Sequence, residues 1–380
     1  MKLLYCIPSL SYPGGMERVL VTKVNYLVTN LDYDVTIVTT EKKGGKSFFT
    51  LNSKVRVISL NLNFNQKYSN LFLKFFTYFK LFKKYKKELK GILKQFSPDY
   101  CISLGGKEIE FLTKLNDNSI KLLELHFAQN NRLQFLEAKY PNSKFWKFIG
   151  QIRTKQLINS AKQFKRVVVL TKQDYKKWSL TNNNIVQIYN PSPLQLDKIA
   201  KLDSHHFIAV GKLDPQKGFD LLIPIWNGIR KKHPDWKLWI FGQGISKTML
   251  SNLILKYNLS DNVFLKGVSY NIADEYLNSA GILMTSRFEG FPMVLIEAIK
   301  CGLPIIAFDC ETGPREIVAD GENGYLIEYG NSDLFEQKIN FLIENEDERR
   351  RMGLKSKNIS EMFSMNSIMK QWISLFNTLK

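Results

Sequence analysis

Short β-branched and apolar runs alternate along this chain with longer segments whose apolar residues recur every three or four positions. The short runs read as strands: KLLYCI (2–7), DVTIVTT (34–40), VRVISL (55–60), YCISL (100–104), IKLLEL (120–125), RVVVLT (166–171) and NIVQIY (184–189). Between most of them lie amphipathic helices, and this regular alternation predicts a parallel sheet. The series pauses at YNPSPLQLDKIAKLDSHH, rich in Pro, Asp and Ser, which puts a domain boundary near residues 191–203. A second series follows: HFIAVGKL, WKLWIFG, VFLKG, GILMTS, PIIAFD and GYLIE. The pattern predicts two doubly wound domains in tandem, over 1–195 and 196–363. Residues 364–380 form a last amphipathic helix, with Met365, Ile368, Trp372 and Phe376 at helical spacing.

Composition narrows the class. The chain has 380 residues, enough for two domains at roughly 150 residues each. Cys6, Cys101, Cys301 and Cys310 form no C-x-x-C pair, so neither a disulfide framework nor a zinc site is indicated, and a reducing cytosol fits best. The apolar part of MKLLYCIPSL is too short for a signal peptide, and no stretch reaches the roughly 18 apolar residues of a membrane span. Charge changes the picture more. Residues 1–200 hold 33 Lys and Arg against 13 Asp and Glu, a net of +20, whereas residues 201–380 hold 21 against 22, a net of −1. The basic half implies an anionic partner.

Three turns carry candidate chemistry. PGGMERV places Gly14 and Gly15 after the first strand, at the sheet edge where doubly wound domains bind ligands. They suit a phosphate- or sugar-contacting turn or a plain tight turn, and they do not form the G-x-G-x-x-G nicotinamide fingerprint. In VGKLDPQKGFDLL, Lys212 and Lys217 flank a turn and are placed either to grip a diphosphate or to lie in solvent. GILMTSRFEGFPMVLIEAIKCG reads as strand, loop and helix, with Pro292 near the helix start and Gly302 just past its end. Free N–H groups and the dipole at that helix start suit a diphosphate, and Gly290 lets the backbone come close. Glu289 projects from the loop and Glu297 sits about one turn into the helix. Carboxylates accept paired hydrogen bonds from vicinal hydroxyls, so one suits a sugar and the other a ribose; a solvated loop and a salt bridge are the structural alternatives.

E-G-F-P-x-x-x-x-E-A followed by C-G-L-P-I-I-A resembles the E-x7-E signature of the retaining family 4 glycosyltransferases of GT-B fold (glycosyl transferases group 1). TGPREIVADGENGYLI resembles the segment after it, VGKLDPQKGFD the G-R-L-x-x-x-K-G turn, and PGGMERV the N-terminal glycine loop. The motifs keep the family's order over almost the whole chain. The resemblance implies an α/β protein with two doubly wound Rossmann-like domains facing across a cleft. The first would bind the acceptor and the second a nucleotide-sugar donor, with the final helix crossing back to the first domain. It implies Glu297 on the ribose, Glu289 beside the donor sugar, and Lys212 and Lys217 on the diphosphate. Gly290, Phe291, Met293 and Val294 would give backbone contacts, and Gly14 and Gly15 would lie at the donor. Lys212 departs from the family's usual arginine: the charge stays but the fork geometry is lost.

Of four histidines, His205, His206 and His233 read as surface residues. His126 follows a strand and precedes the polar loop FAQNN, which suits either a site residue or a satisfied structural histidine, and the resemblance puts a catalytic histidine there, facing the donor sugar. Retaining transfer passes through an oxocarbenium-like transition state, with lysines and a helix end stabilising the leaving diphosphate. No carboxylate stands out for a covalent intermediate, and the resemblance favours front-face attack. UDP is the expected nucleotide. Asp32 and Asp34 in LDYDV read as turn residues, so neither an essential metal nor a cofactor is expected.

Residues 63–96 carry nine lysines and one acid, Glu88. Leu71, Phe72, Phe75, Phe76, Phe79 and Phe82 form an apolar helical stripe, with Lys80, Lys83, Lys84, Lys87 and Lys94 on or near another face. This is either a core-facing helix with a solvated basic side or a helix lying on an anionic membrane surface. The second reading puts a cytoplasmic enzyme peripherally on the inner face of the cell membrane. Its acceptor there would be a saccharide, lipid-linked, in cell-surface polysaccharide or glycolipid assembly. Two other classes compete. A GT-B-fold sugar-nucleotide epimerase would turn over a UDP-sugar with no acceptor. A nucleic-acid-binding protein would use the basic half, but lysines and aromatics cluster on one segment rather than over an extended face, so no nucleic-acid partner is expected.

Overall fold

Each of the thirteen apolar runs forms a strand in the computed structural model, which describes residues 1–41, 47–64, 71–140 and 142–380, with residues 71–74 described by backbone alone. The first half runs β1 (Lys2–Ile7), α1 (Gly15–Leu31), β2 (Asp34–Thr39), β3 (Arg56–Ser59), α2 (Leu71–Phe96), β4 (Tyr100–Ser103), β5 (Ile120–Glu124), α3 (Asn131–Lys139), α4 (Lys144–Ala161), β6 (Arg166–Val169), α5 (Lys172–Ser179) and β7 (Ile185–Gln187). The second runs β8 (His206–Val210), α6 (Phe219–Lys232), β9 (Lys237–Phe241), α7 (Lys247–Lys256), β10 (Val263–Gly267), α8 (Ile272–Leu277), β11 (Ile282–Met284), α9 (Met293–Lys300), β12 (Ile305–Asp309), β13 (Gly324–Glu328), α10 (Ser332–Glu344), α11 (Glu346–Ser360) and α12 (Met365–Leu379).

Two parallel sheets result, ordered β3-β2-β1-β4-β5-β6-β7 and β10-β9-β8-β11-β12-β13. Strand order reverses between β1 and β4 in one and between β8 and β11 in the other. These are the switch points where loops part and a ligand crevice opens at the strands' C-terminal ends. The inner strands are buried on both faces, which is why they read as nearly continuous apolar runs, while the edge strands β3, β7 and β10 are partly exposed.

The chain end ties the halves together. Ser364 caps α12 by accepting from the Ser367 amide, and the helix buries Met365, Ile368, Met369, Trp372, Leu375 and Phe376 at three- and four-residue steps. Phe376 lies 4.9 Å from the Tyr100 ring of β4, and its carbonyl accepts from the Tyr100 hydroxyl. Burying Trp372 and Phe376 contributes about 1.5–3 kcal/mol each. The linker is stitched to the second domain by Ser192 N–H to Phe363 O (2.7 Å) and Ala200 N–H to Cys301 O (2.8 Å).

Two surface readings change. His206 is buried, not exposed: it starts β8 and stacks on Trp239 at 3.9 Å, and burial with nearby Lys266 pushes its pKa down to about 4. His205 is exposed and His233 is half-buried against Glu344. The aromatic stripe of α2 also divides. Phe82 packs edge-on against Phe111 at 5.1 Å and Tyr85 enters the core, while Phe75, Phe76 and Phe79 face outward. Phe72 lies outside the residues whose side chains are described.

Candidate functional site

The second domain's half of the site is built by the β11–α9 connection. Pro292 is the N-cap of α9 and no side chain caps this end; Leu295 N–H donates to the Pro292 carbonyl (3.0 Å), which leaves the amides of Met293 and Val294 for a ligand. Phe291 stacks on Tyr189 at 5.6 Å, which anchors the loop just before the helix start. Glu289 is buried, and its Oε1 accepts from Lys217 Nζ (2.7 Å) and Ser286 Oγ (2.6 Å). Lys217 reaches it because its stem lies over Gly211, where a Cβ would come within 3.0 Å of the lysine's Cγ. Glu297 is also buried. Its Oε1 accepts from Arg18 Nη1 of α1 (2.8 Å) and its Oε2 from the Tyr276 hydroxyl (3.2 Å). Burial raises the Glu297 pKa and the Arg18 charge opposes the rise.

The first domain's half lies where β1 and β5 end. His126 Nε2 is 3.1 Å from Glu124 Oε1, and its Nδ1 is 3.4 Å from Asn190 Nδ2. Glu124 also takes Lys23 Nζ of α1 on both oxygens at 2.7 Å. Lys23 and Glu124 are each only 1% exposed. Burial alone would raise the Glu124 pKa, but Lys23 and His126 outweigh it and hold the carboxyl at about 2. Burial pushes Lys23 below its ordinary value, and the charge of Glu124 resists that. Glu17, in the first turn of α1, folds back over Gly14: a Cβ there would lie 2.2 Å from Glu17 Oε2.

The halves meet closely. A Cβ on Gly290 would sit 2.5 Å from the His126 carbonyl oxygen and 2.8 Å from Phe127 Cα, so only glycine fits this approach. Gly15 faces Met293: a Cβ there would lie 3.3 Å from Met293 Cγ. One seam therefore holds Gly15, His126, Lys217, Glu289, Gly290, Met293 and Glu297. Lys212 is not drawn in; its side chain is 70% exposed and lies 3.8 Å from Asp214. A second set of contacts flanks the seam. Glu316 accepts from the Lys172 amide (2.8 Å), the Gln173 amide (3.2 Å) and the Tyr189 hydroxyl (2.7 Å). Glu311 pairs with Lys177 and accepts from Gln134 (2.8 Å).

Sequence reasoning missed Arg18, Lys23, Glu124, Asn190, Tyr276 and Ser286. A signal existed for two of them. Lys23 falls on the apolar stripe of α1, between Leu20 and Leu27, and Glu124 follows Leu122 and Leu123 at the buried end of β5. A charge on a buried stripe needs a partner. Among the described residues no group of three or more His, Cys, Asp or Glu could hold a metal, and no helix is long and apolar enough to cross a membrane.

Residues 195–359 match the model of the family described as glycosyl transferases group 1. The chain is 30% identical over 380 residues to an uncharacterized glycosyltransferase of Haemophilus influenzae, covering 98% of each chain. It is 32% identical over 385 residues to the amylovoran biosynthesis glycosyltransferase AmsD of Erwinia amylovora, covering 99% of each. The chain belongs to the glycosyl transferases group 1. Its fold is GT-B: among solved structures it superimposes on a mutant of S. aureus TarM in complex with Fondaparinux, alpha-GlcNAc-glycerol and UDP, at 18% identity, with a TM-score of 0.79 and 99% of each chain covered. The protein is therefore a glycosyltransferase, and the seam lies between the two halves of a GT-B enzyme.

Proposed function

We propose that this glycosyltransferase moves a hexose from a UDP-sugar to a saccharide acceptor with retention of configuration. The observation that carries the reading is the seam itself, where the open start of α9, the Lys217–Glu289 pair and Glu297 meet Gly15 and His126. The diphosphate lies over the start of α9, where the amides of Met293 and Val294 take up charge that develops on the leaving group. Lys217 trades Glu289 for a phosphate oxygen, which frees Glu289 for sugar hydroxyls. The ribose replaces Arg18 on Glu297 Oε1, while Tyr276 keeps Oε2. Lys212 closes on the diphosphate from its exposed position, and Gly14 and Gly15 line the donor from the other side. His126 borders the transferred sugar. Lysines and amides supply the positive field, so the reaction is read as metal-independent and EDTA should leave it unchanged. The UDP in the TarM complex supports the choice of nucleotide.

A thermal-shift screen of UDP-, GDP- and ADP-sugars tests the donor, because a bound ligand raises the melting temperature with its affinity. The anomeric configuration of the product, read by proton NMR, tests retention. A stronger shift with GDP- or ADP-sugars would overturn the nucleotide, and an inverted product the stereochemistry. Turnover of a UDP-sugar without acceptor would favour the epimerase.

The acceptor is read as lipid-linked, on an anionic membrane surface at the inner face of the cell membrane, within polysaccharide or glycolipid assembly. The outward Phe75, Phe76 and Phe79 of α2, followed by exposed Lys80, Lys83, Lys84 and Lys87, support this. So does α4, which buries Gly150, Thr154, Leu157 and Ala161 on one side and turns Phe145, Phe148 and Ile152 outward on the other. Each basic residue near such a surface adds about 1 kcal/mol. Flotation with phosphatidylglycerol vesicles should fall with salt, with the four lysines changed to glutamate, and with Phe145→Ser and Phe148→Ser together. No flotation at low salt would leave a soluble acceptor.

A further inference from the structure

We propose that the buried Lys23–Glu124 ion pair is the positioning device for His126, holding its ring as the neutral tautomer protonated on Nε2, with Nδ1 left to accept from Asn190. The inference rests on the reading that His126 borders the transferred sugar.

Two contacts agree on that tautomer. An ionised carboxylate only accepts, so the 3.1 Å contact with Glu124 Oε1 requires the proton on Nε2. An amide NH2 only donates, so the 3.4 Å contact with Asn190 Nδ2 requires a lone pair on Nδ1. The orientation of the Asn190 amide is supported separately, because the same NH2 lies 3.6 Å from Met293 Sδ, another acceptor. The ring is thus a strut between β5 and the end of β7, and the carbonyl of the same residue is the surface on which Gly290 closes.

Lys23 decides the charge of this strut. A buried carboxylate alone beside an imidazole would draw a second proton onto the ring or take one itself. With Lys23 at 2.7 Å on both oxygens, Glu124 stays ionised and is held as an acceptor for the ring. The charged and titratable groups that act on His126 or on its partner are Lys23 and Glu17 from α1, Glu124 from β5 and Tyr5 from β1. Removing Lys23 leaves a net negative charge beside the ring and takes away what holds Glu124 as a fixed acceptor. The pair also touches the final helix: Lys23 Nζ lies 3.7 Å from the centre of the Trp372 ring of α12 and 5.6 Å from that of Tyr5. A fully buried ion pair is poor evidence for stability, since an apolar pair of like volume packs as well. Its use here is to fix one proton.

The test is direct, because the chain has four histidines. The full chain labelled with 15N-histidine gives long-range proton–nitrogen correlations that distinguish the two neutral tautomers and the cation, and His126→Gln identifies the signal. Wild type should show the Nε2–H form at pH 7.5. Lys23→Met should no longer give the single Nε2–H pattern at pH 7.5. Lys23→Met/Glu124→Gln removes the charges at nearly constant volume, which guards against a single variant that fails to fold. It should keep the melting temperature near wild type while His126 populates both tautomers. With a UDP-sugar that passes the donor screen, the double variant should lose about tenfold or more in kcat, with KM for the donor within about twofold. A wild-type ring that is Nδ1-protonated or cationic at pH 7.5, an unchanged Nε2–H pattern in Lys23→Met, or a double variant with the wild-type tautomer and kcat would each overturn the proposal. The tautomer measurement needs no donor, so failure of the UDP reading leaves it standing.

Discussion

Each domain keeps one lysine–glutamate pair at the cleft, and both close at 2.7 Å. The surroundings differ. Lys23 and Glu124 are sealed between α1, β5 and α12, with each side chain 1% exposed. Lys217 is 18% exposed and shares Glu289 with the small hydroxyl of Ser286. An ion pair sealed on all sides cannot part without stranding a charge, whereas one whose lysine is partly exposed and whose carboxylate keeps a second donor can exchange partners at a smaller loss. The first pair is built to stay and the second to open for a ligand. Asp174 supplies a third case. It is buried, accepts from the Gln129 amide just beyond His126, and feels Lys177 only at a distance because Lys177 is bonded to Glu311. Without a bonded cation, burial pushes its pKa up to about 6, whereas Glu124 is held at about 2.

These contrasts can be broken in order of size. Lys23→Met alone should destabilise the fold by about 3–5 kcal/mol in urea titration, because Glu124 is left uncompensated; a loss below about 1 kcal/mol would mean that the pair is not sealed. Glu289→Gln should lower turnover by about 10²–10³ while UDP affinity stays within a few fold, since the charge is used on the sugar. Equal losses in both would move Glu289 to the nucleotide. Asp174→Asn should raise stability at pH 8 by on the order of 2 kcal/mol and leave it unchanged near pH 4. The sign follows from a folded pKa above the ordinary 3.8: the contribution of Asp174 is favourable below that value and lost as pH rises through about 6. For Glu124 the sign reverses, with stability present above 4.5 and lost as pH falls towards about 2. Lys217→Met should cost less in stability than Lys23→Met, because Lys217 is the more exposed lysine and Ser286 still donates to Glu289, and should still weaken UDP binding. A loss comparable to Lys23→Met would erase the distinction between the pairs.

Much of this was legible. Strand positions followed from apolar runs, and the helix start at Pro292 from strand–loop–helix punctuation. Because every strand is parallel, the loops after β1, β5, β8 and β11 had to share strand C-termini, so the residues of interest were confined to two sheet edges. The errors have a common origin. His206 lies at the domain boundary in the sequence, although it starts a buried strand. The stripe of α2 was read as one face, although the first domain's core takes its second half and leaves Phe75, Phe76 and Phe79 outside.

Periodicity and punctuation are local, and the amino-acid sequence by itself determined what depends on them: thirteen strands, their division into two sheets, and the loops that carry glycine and carboxylate. The charge states of the site are not local. Lys23 meets Glu124 across 101 positions and Arg18 meets Glu297 across 279. The energy of a charge depends on its distance to the nearest opposite charge and on the water excluded around both. Only the packing of α1 against β5, α9 and α12 sets those quantities, so only the tertiary structure decided which carboxylate is locked, which is free to open, and which nitrogen of His126 carries the proton.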